Sequence, residues 1–155
     1  MPYEKPGLSA RGRSAHRMRP LRLHIERILC PSVRIPLTAE FHYTEADPLV
    51  VLMELHPAEG GVVPWVLSRD LLFDGTEEPS GVGDVRLWPS IAHGRRVVHM
   101  KLEAHGRSCL LEMDRGRLEE WLLETFDLVH PGTEFHKMDW AAGVAALVEG
   151  KRNQP

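Results

Sequence analysis

The side chains best suited to bind a metal in this sequence are its nine histidines. Zinc sites commonly place two histidines four residues apart on a helix, or use a Cys-x-x-Cys pair. Neither arrangement occurs here. Four of the histidines fall in predicted strands, mostly at polar positions: His24, His42, His56 and His99. We therefore predict hydrogen-bonded or surface histidines, with no metal site and no cofactor.

For nucleophilic catalysis, the nearest candidates are Cys109 and His105. A serine nucleophile would need a Gly-x-Ser-x-Gly turn, and no such turn surrounds Ser108. Cys30 and Cys109 have apolar neighbours, which is typical of reduced, half-buried thiols in a cytosolic protein. The sequence therefore predicts a protein that is not an enzyme.

Two further patterns could serve a nucleotide or an acid–base reaction. The string GVG at residues 81–83 is half of a dinucleotide-binding motif. It precedes a predicted strand, so no helix N-terminus is available to hold a phosphate. Four carboxylates fall on the outer face of a predicted helix, away from any cleft: Glu119, Glu120, Glu124 and Asp127. We expect a solvated acidic face there or, alternatively, a contact surface for a basic segment of a partner.

Charge is unevenly distributed along the chain, whose formal net charge is −3. Residues 1–22 hold six Lys and Arg and one acid, whereas the remainder holds 13 Lys and Arg and 21 acids. We expect residues 1–20 to form a basic, flexible extension, since Pro and Gly punctuate it; alternatively, translation begins at Met18. The extension could bind nucleic acid, but it offers only Tyr3 for stacking, and the acidic remainder would repel phosphate.

The longest apolar runs in the sequence are five residues, at 49–53 and 144–148. A helix that spans a bilayer needs about 20 apolar residues, and a secretory signal needs about 7–15 after its cations. The sequence therefore predicts no membrane insertion and no export.

Seven stretches have the apolar alternation and β-branched content of strands. They begin near residues 21, 33, 49, 62, 84, 96 and 107, and Pro89 is expected to end the fifth. Ser68 can cap a short helix that Gly75 can end, and Asp114 can cap a longer helix that ends at Pro131. A third helix is predicted at about residues 139–149. This order predicts an α+β fold: a mostly antiparallel sheet of about seven strands, a short helix and two C-terminal helices.

The third predicted strand is unusual because apolar residues occupy both of its faces from residue 49 to residue 53. A strand with one face in water alternates apolar and polar residues. Either a helix or a second subunit should therefore cover the outer face. We favour a subunit contact, which makes Val50 and Leu52 candidate interface residues.

Four strings carry a family resemblance: TEADP at residues 44–48, WVLSRDLL at 65–72, GVGDVRLWPS at 81–90 and PGTE at 131–134. In this order and spacing they closely resemble the SsgA-like proteins, regulators of sporulation and cell division in morphologically complex actinomycetes. The resemblance runs from about residue 21 to residue 150. It therefore defines a domain at 21–150, between the extension at 1–20 and a C-terminal tail at 151–155.

The resemblance implies a regulator of septation during sporulation, an adaptor that helps to localise the division machinery at the septum. It implies partners among cell-division proteins: the tubulin-like GTPase FtsZ, septal proteins or other SsgA-like proteins. It also implies a bell-shaped homotrimer whose fold is distantly similar to the single-strand-binding Whirly proteins. A likeness of fold does not transfer nucleic-acid binding. Binding of single-stranded nucleic acid, as in the Whirly proteins, is kept as the alternative function.

Overall fold

The computed structural model describes residues 18–134, which form seven β-strands and two α-helices. The strands are β1 (Leu21–Cys30), β2 (Val33–His42), β3 (Val50–Pro57), β4 (Val63–Ser68), β5 (Val85–Ala92), β6 (Arg95–Ala104) and β7 (Arg107–Asp114). The helices are α1 (Arg69–Glu77), between β4 and β5, and α2 (Arg115–Leu128), after β7. The predicted helix at about residues 139–149 lies outside the described residues. Neither described helix is long and apolar enough to cross a bilayer.

All seven strands belong to one antiparallel sheet with the order β4-β3-β2-β1-β7-β6-β5. The sheet consists of two meanders, β1–β4 and β5–β7. They join where β1 pairs with β7 through two residue pairs, Glu26 with Glu112 and Arg27 with Leu111. We call this junction the seam. The predicted α+β fold with a mostly antiparallel sheet is confirmed.

Alternation along the strands directs one set of side chains into a single core. Leu23, Phe41 and Met53, from three neighbouring strands, have at most 1% of their surface exposed. The helix α2 covers this face of the sheet with its buried residues Leu118, Trp121, Leu122 and Thr125. The Trp121 ring centroid lies 6.1 Å from that of Phe41. Each large apolar side chain buried here stabilises the fold by about 1.5–3 kcal/mol, which holds α2 against the sheet.

Both helices begin where the sequence predicts. The Ser68 hydroxyl accepts a hydrogen bond from the backbone N–H of Leu71 at 3.1 Å. The Asp114 carboxylate accepts one from the backbone N–H of Arg117 at 2.9 Å. Each cap satisfies an N–H group that has no partner inside the helix, and such caps contribute about 1 kcal/mol.

Two predicted ends are wrong, because α1 continues through Gly75 to Glu77 and β5 continues through Pro89 to Ala92. Gly75 serves close packing instead. A Cβ at this position would lie 2.4 Å from the Cβ of Leu87, so glycine lets α1 approach β5. Pro89 is tolerated because β5 is an edge strand of the sheet, and a missing N–H on the open side of an edge strand breaks no ladder.

Candidate functional site

The outer face of β3, which points away from the core, carries the two candidate interface residues. Val50 and Leu52 are half-buried there, whereas Val51 and Met53 are fully buried in the core. Leu52 pairs with Val66 of β4, which is 67% exposed. Val50, Leu52 and Val66 thus form an apolar surface, which we call the β3 patch.

The β3 patch borders a cleft of about 630 Å³. Met18 and Pro20, just before β1, line the cleft together with Val50 and Leu52. No residue of α1 or α2 lines it, so neither described helix covers this part of the sheet. Contiguous apolar surface in contact with water is typical of interaction sites, and the predicted subunit contact through Val50 and Leu52 stays a prediction.

The exposed surface of α2 carries three of the four predicted carboxylates. Glu120, Glu124 and Asp127 are exposed, and their spacing of four and three residues places them on one side of the helix. Glu119 is half-buried, and one of its carboxylate oxygens is buried without a hydrogen-bond partner among residues 18–134. We therefore define the acidic face of α2 as Glu120, Glu124 and Asp127, with Glu119 at its border.

Basic side chains flank the acidic face. Arg19 and Arg117 line a cleft with Glu120 and Glu124. The indole N–H of Trp121 donates a hydrogen bond to the backbone oxygen of Arg19 at 3.0 Å, which holds the segment before β1 against α2. Two cations of the same chain therefore lie beside the acidic face.

Inside the core, the first residue of α1 is a buried arginine, Arg69, with 1% of its surface exposed. One guanidinium nitrogen donates hydrogen bonds to the Tyr43 hydroxyl at 3.0 Å and to the backbone oxygens of Thr125 and Val129, at 2.9 and 2.8 Å. The other terminal nitrogen donates to the Glu134 carboxylate at 2.9 Å. A cation is stabilised at a helix C-terminus because the last carbonyls have no partner within the helix. Arg69 therefore ties the end of α2 to the start of α1.

The Arg69–Glu134 ion pair connects two of the family strings, WVLSRDLL and PGTE. Hydrogen bonds from its own backbone N–H, from Arg69 and from the Gly132 N–H hold the pKa of Glu134 below its ordinary value, although burial opposes them. Burial also raises the pKa of the Tyr43 phenol, which therefore stays neutral. These strings serve to position α2. The sequence analysis did not predict that Arg69 is buried and paired with Glu134. An arginine in the largely apolar string WVLSRDLL was the sequence feature that could have indicated it.

A second group of ion pairs crosses the seam on the outer face of the sheet. Arg34 of β2 donates hydrogen bonds to Glu26 of β1 at 3.0 Å and to Glu112 of β7 at 2.8 Å. The other Glu112 oxygen lies 3.0 Å from Nε2 of His99 on β6. The His99 ring packs against Trp88 of β5, with 5.7 Å between ring centroids. Side chains from five strands thus reinforce a junction that has only two paired residues on each strand.

The charge state of Glu112 follows from these contacts. Burial alone would raise the pKa of Glu112, but hydrogen bonds from His99 and Arg34 lower it by more, so the pKa lies below its ordinary value. A general acid needs a pKa raised toward the working pH. Glu112 is therefore suited to be a charged structural carboxylate and unsuited to donate a proton at neutral pH.

The two thiols differ in their environments. Burial raises the pKa of Cys109, and within residues 18–134 no hydrogen bond connects this thiol to His105. The pair therefore lacks the contact through which a base activates a nucleophile. Cys30 is exposed, so the prediction of a half-buried thiol is wrong for this residue. Cys30 is the last residue of β1, where the strand leaves the core. Hydrogen bonds from Ser32 lower the pKa of Cys30.

The sequence is similar to a known protein family and to several of its members. The family described as Streptomyces sporulation and cell division protein, SsgA, matches residues 37–134. The sporulation-specific cell division protein SsgB of Streptomyces coelicolor is 38% identical over 117 residues, which cover 76% of this chain and 85% of that protein. The protein of the same name from Salinispora tropica is 32% identical over 140 residues, covering 86% of this chain and 98% of that protein.

Two solved structures share the fold. One, reported with mutations in SsgB that correlate to longitudinal cell division during sporulation of Streptomyces coelicolor, has a TM-score of 0.73 at 38% identity and covers 76% of this chain and 92% of that chain. The other is the SsgA-like sporulation-specific cell division protein from Thermobifida fusca YX-ER1, with a TM-score of 0.74 at 27% identity, covering 86% and 95%. Sequence and fold agree, and the chain belongs to the SsgA family of sporulation and cell division proteins.

Proposed function

We propose that this protein regulates septation during sporulation as an adaptor, which binds other proteins and catalyses no reaction. Membership of the SsgA family carries the proposal, since the relatives are named sporulation-specific cell division proteins. The geometry supports it as well. The buried and half-buried ionisable groups Arg69, Glu134, Arg34 and Glu112 hold one another through hydrogen bonds, which suits a scaffold.

The adaptor assembles as a homotrimer in which the β3 patch of one subunit contacts the next subunit. The support for this contact is the apolar surface formed by half-buried Leu52 and exposed Val66 beside an open cleft. Apolar surface removed from water contributes about 25 cal/mol per Å². Covering the patch would therefore favour assembly.

Light scattering tests this assembly. The double substitution Val50→Lys with Leu52→Lys places two charges in the patch, and we expect it to lower the mass from three copies of the 17.6 kDa chain toward one. Val82→Lys with Ile91→Lys is the matched control, because these residues are 89% and 73% exposed and lie outside the patch. An unchanged mass for the patch variant, or equal dissociation of the control, would contradict the proposed contact.

The acidic face of α2 binds a basic segment of a division protein on the cytoplasmic side of the septum. Candidates are the GTPase FtsZ, a septal protein or another SsgA-like protein. Complementary charge speeds association and selects partners, and Glu120, Glu124 and Asp127 are exposed. The flanking Arg19 and Arg117 would modulate this contact because they share a cleft with two of these carboxylates.

A fluorescent fusion in sporulating hyphae, combined with septum counts in a deletion strain, tests the cellular role. We expect the fusion at septa and abnormal septation without the gene. Reversing the acidic face to lysine at all three positions should abolish capture of division proteins, with the fold kept. The control reverses three exposed acids elsewhere: Glu59, Glu77 and Glu78. Normal septation in the deletion strain, or salt-sensitive binding of single-stranded DNA in place of division proteins, would overturn the proposal.

A further inference from the structure

Beside the β3 patch, the outer face of the sheet gathers two glutamates and two histidines. Glu40 of β2 pairs with Glu54 of β3, and Thr38 pairs with His56, so all the side chains at these positions lie on one face. His42, two residues after Glu40, lies on that face too. We propose that Glu40, His42 and Glu54, which converge within 4.8 Å of one another, form a binding site for a zinc-like divalent cation.

The separations between the side-chain atoms suit a bound metal. The Nε2 atom of His42 lies 3.0 Å from a Glu40 oxygen and 3.2 Å from a Glu54 oxygen. Zinc binds nitrogen and carboxylate oxygen at about 2.0–2.2 Å, so two ligands of a tetrahedral ion are about 3.3–3.6 Å apart. The His42 nitrogen is thus already near ligand distance from both carboxylates, and the two carboxylate oxygens, which are within 4.8 Å of each other, could close around one cation by side-chain movement.

Hydrogen bonding alone leaves this cluster incompletely satisfied. A single N–H at His42 Nε2 can point directly at one carboxylate, yet two carboxylates lie within 3.2 Å of it. Arg22 also contacts Glu40 at 3.3 Å, but its side chain is 64% exposed, so water screens this ion pair. A divalent cation would accept lone pairs from the histidine nitrogen and both carboxylates together, and its charge would balance theirs.

A fourth ligand is at hand in His56. Its Nε2 atom is buried and has no hydrogen-bond partner among the described residues, and it lies 3.9 Å from the same Glu54 oxygen that approaches His42. A change in side-chain torsion would bring this nitrogen toward a cation held by the other three ligands. Otherwise, water would occupy the fourth position.

The ligand types indicate which cation the cluster selects. Imidazole nitrogen favours zinc and its transition-metal neighbours, whereas magnesium and calcium prefer sites made wholly of oxygen. The side chains of Glu40, His42, Glu54 and His56 are 22–34% exposed, so a cation can reach them from solvent. Sequence spacing predicts no metal site, because the ligands come from two strands that only the fold brings side by side.

Isothermal titration calorimetry of the full chain, without an affinity tag, tests the site with Zn²⁺ and separately with Mg²⁺. We expect saturable zinc binding and no comparable magnesium binding. His42→Gln and Glu54→Gln should each weaken zinc binding at least ten-fold. Even the loss of a residue that only supports a metal ligand lowers metal affinity or activity by about 10–100-fold. His93→Asn is the control: His93 lies in the β5–β6 turn with a φ of 53°, a conformation that asparagine tolerates.

Cobalt provides a second readout that does not depend on affinity alone. Co²⁺ in a tetrahedral site absorbs visible light more strongly than hydrated Co²⁺. We expect this absorption in the parent chain and in His93→Asn, and its loss in His42→Gln. Circular dichroism checks that each variant is folded. Zinc binding that both glutamine variants leave unchanged, equal affinity for magnesium, or the absence of saturable zinc binding would each overturn the site.

Discussion

Replacing Arg69 with methionine tests whether the buried ion pair secures α2 to the rest of the core. Methionine keeps a long apolar side chain but has no hydrogen-bond donor. The Glu134 carboxylate, the Tyr43 hydroxyl and the Val129 carbonyl each lose the hydrogen bond that Arg69 donates. The Phe126 ring, whose centroid lies 4.3 Å from the guanidinium carbon, loses a cation–π contact.

The expected loss of stability is about 3 kcal/mol. Removing one partner of a buried ion pair costs about 3–5 kcal/mol, because the other charge stays buried without compensation. The lower end applies here because Glu134 keeps a 2.7 Å hydrogen bond from the Gly132 N–H. Folded domains are stable by only about 5–15 kcal/mol. For a chain of this length, the same loss lowers the Tm by about 6–12 °C.

Urea and thermal unfolding, followed by circular dichroism in buffer with a chelator, measure the change. Arg22→Met is the matched control: Arg22 is also paired, with Glu40 at 3.3 Å, but is 64% exposed, so we expect a loss below about 1 kcal/mol. A double-mutant cycle with Glu134→Gln isolates the pair. The double variant should lose less than the sum of the two single losses, by about 1 kcal/mol or more.

Two results would refute this reasoning. If Arg69→Met costs no more than Arg22→Met, the buried hydrogen bonds do not stabilise the fold beyond an exposed pair. If the losses from Arg69→Met and Glu134→Gln simply add, the two side chains have no coupling free energy. The contact between the strings WVLSRDLL and PGTE would then contribute nothing to stability.

Three further predictions follow from packing and charge. Gly75→Ala should destabilise the chain by about 1–3 kcal/mol in urea unfolding, because its Cβ would overlap β5, whereas Gly116→Ala, with its nearest contact at 3.5 Å, should not. The charged form of Glu112 stabilises the fold above the ordinary carboxyl pKa of about 4.3, because its folded-state pKa is lowered. That stability is lost as the pH falls, so Glu112→Gln should flatten the decline in unfolding free energy from about pH 5 to pH 3, and an unchanged slope would contradict the assignment. Iodoacetamide should modify Cys30 before Cys109, because Cys30 is exposed with a lowered pKa while burial raises that of Cys109; mass spectrometry would show the order.

The sequence predicts most strands and helices of this fold, because apolar alternation and helix capping depend on residues close together in the chain. The alternation from residue 33 onward predicts β2, and the polar caps at Ser68 and Asp114 mark both helix starts. Gly75 and Pro89 mislead for a shared reason. Each is a breaker by intrinsic preference, yet one is required by the neighbouring Leu87 and the other is permitted by the open edge of β5. Only tertiary structure supplies those neighbours.

The polar sites were harder to predict because their partners are distant in sequence. Arg69 lies 26 residues from Tyr43 and 65 from Glu134, so no short motif reports the contact. The outer-face cluster at His42 depends on register, since its partner Glu54 lies 12 residues away on another strand. Among the four carboxylates predicted on the outer face of α2, only Glu119 is half-buried, because helix geometry turns it toward the border of the face.

The family comparison indicates how much sequence change this fold accepts. Solved relatives at 38% and 27% identity give TM-scores of 0.73 and 0.74, so the fold tolerates replacement of most residues. Cores accept such replacement when apolar volume and patterning are kept. In this chain, two of the strings that carry the family resemblance contribute Arg69 and Glu134, which act inside the core. Arg69 and Glu134 therefore serve the scaffold, and we expect partner choice to depend on more exposed surfaces: the β3 patch and the acidic face of α2.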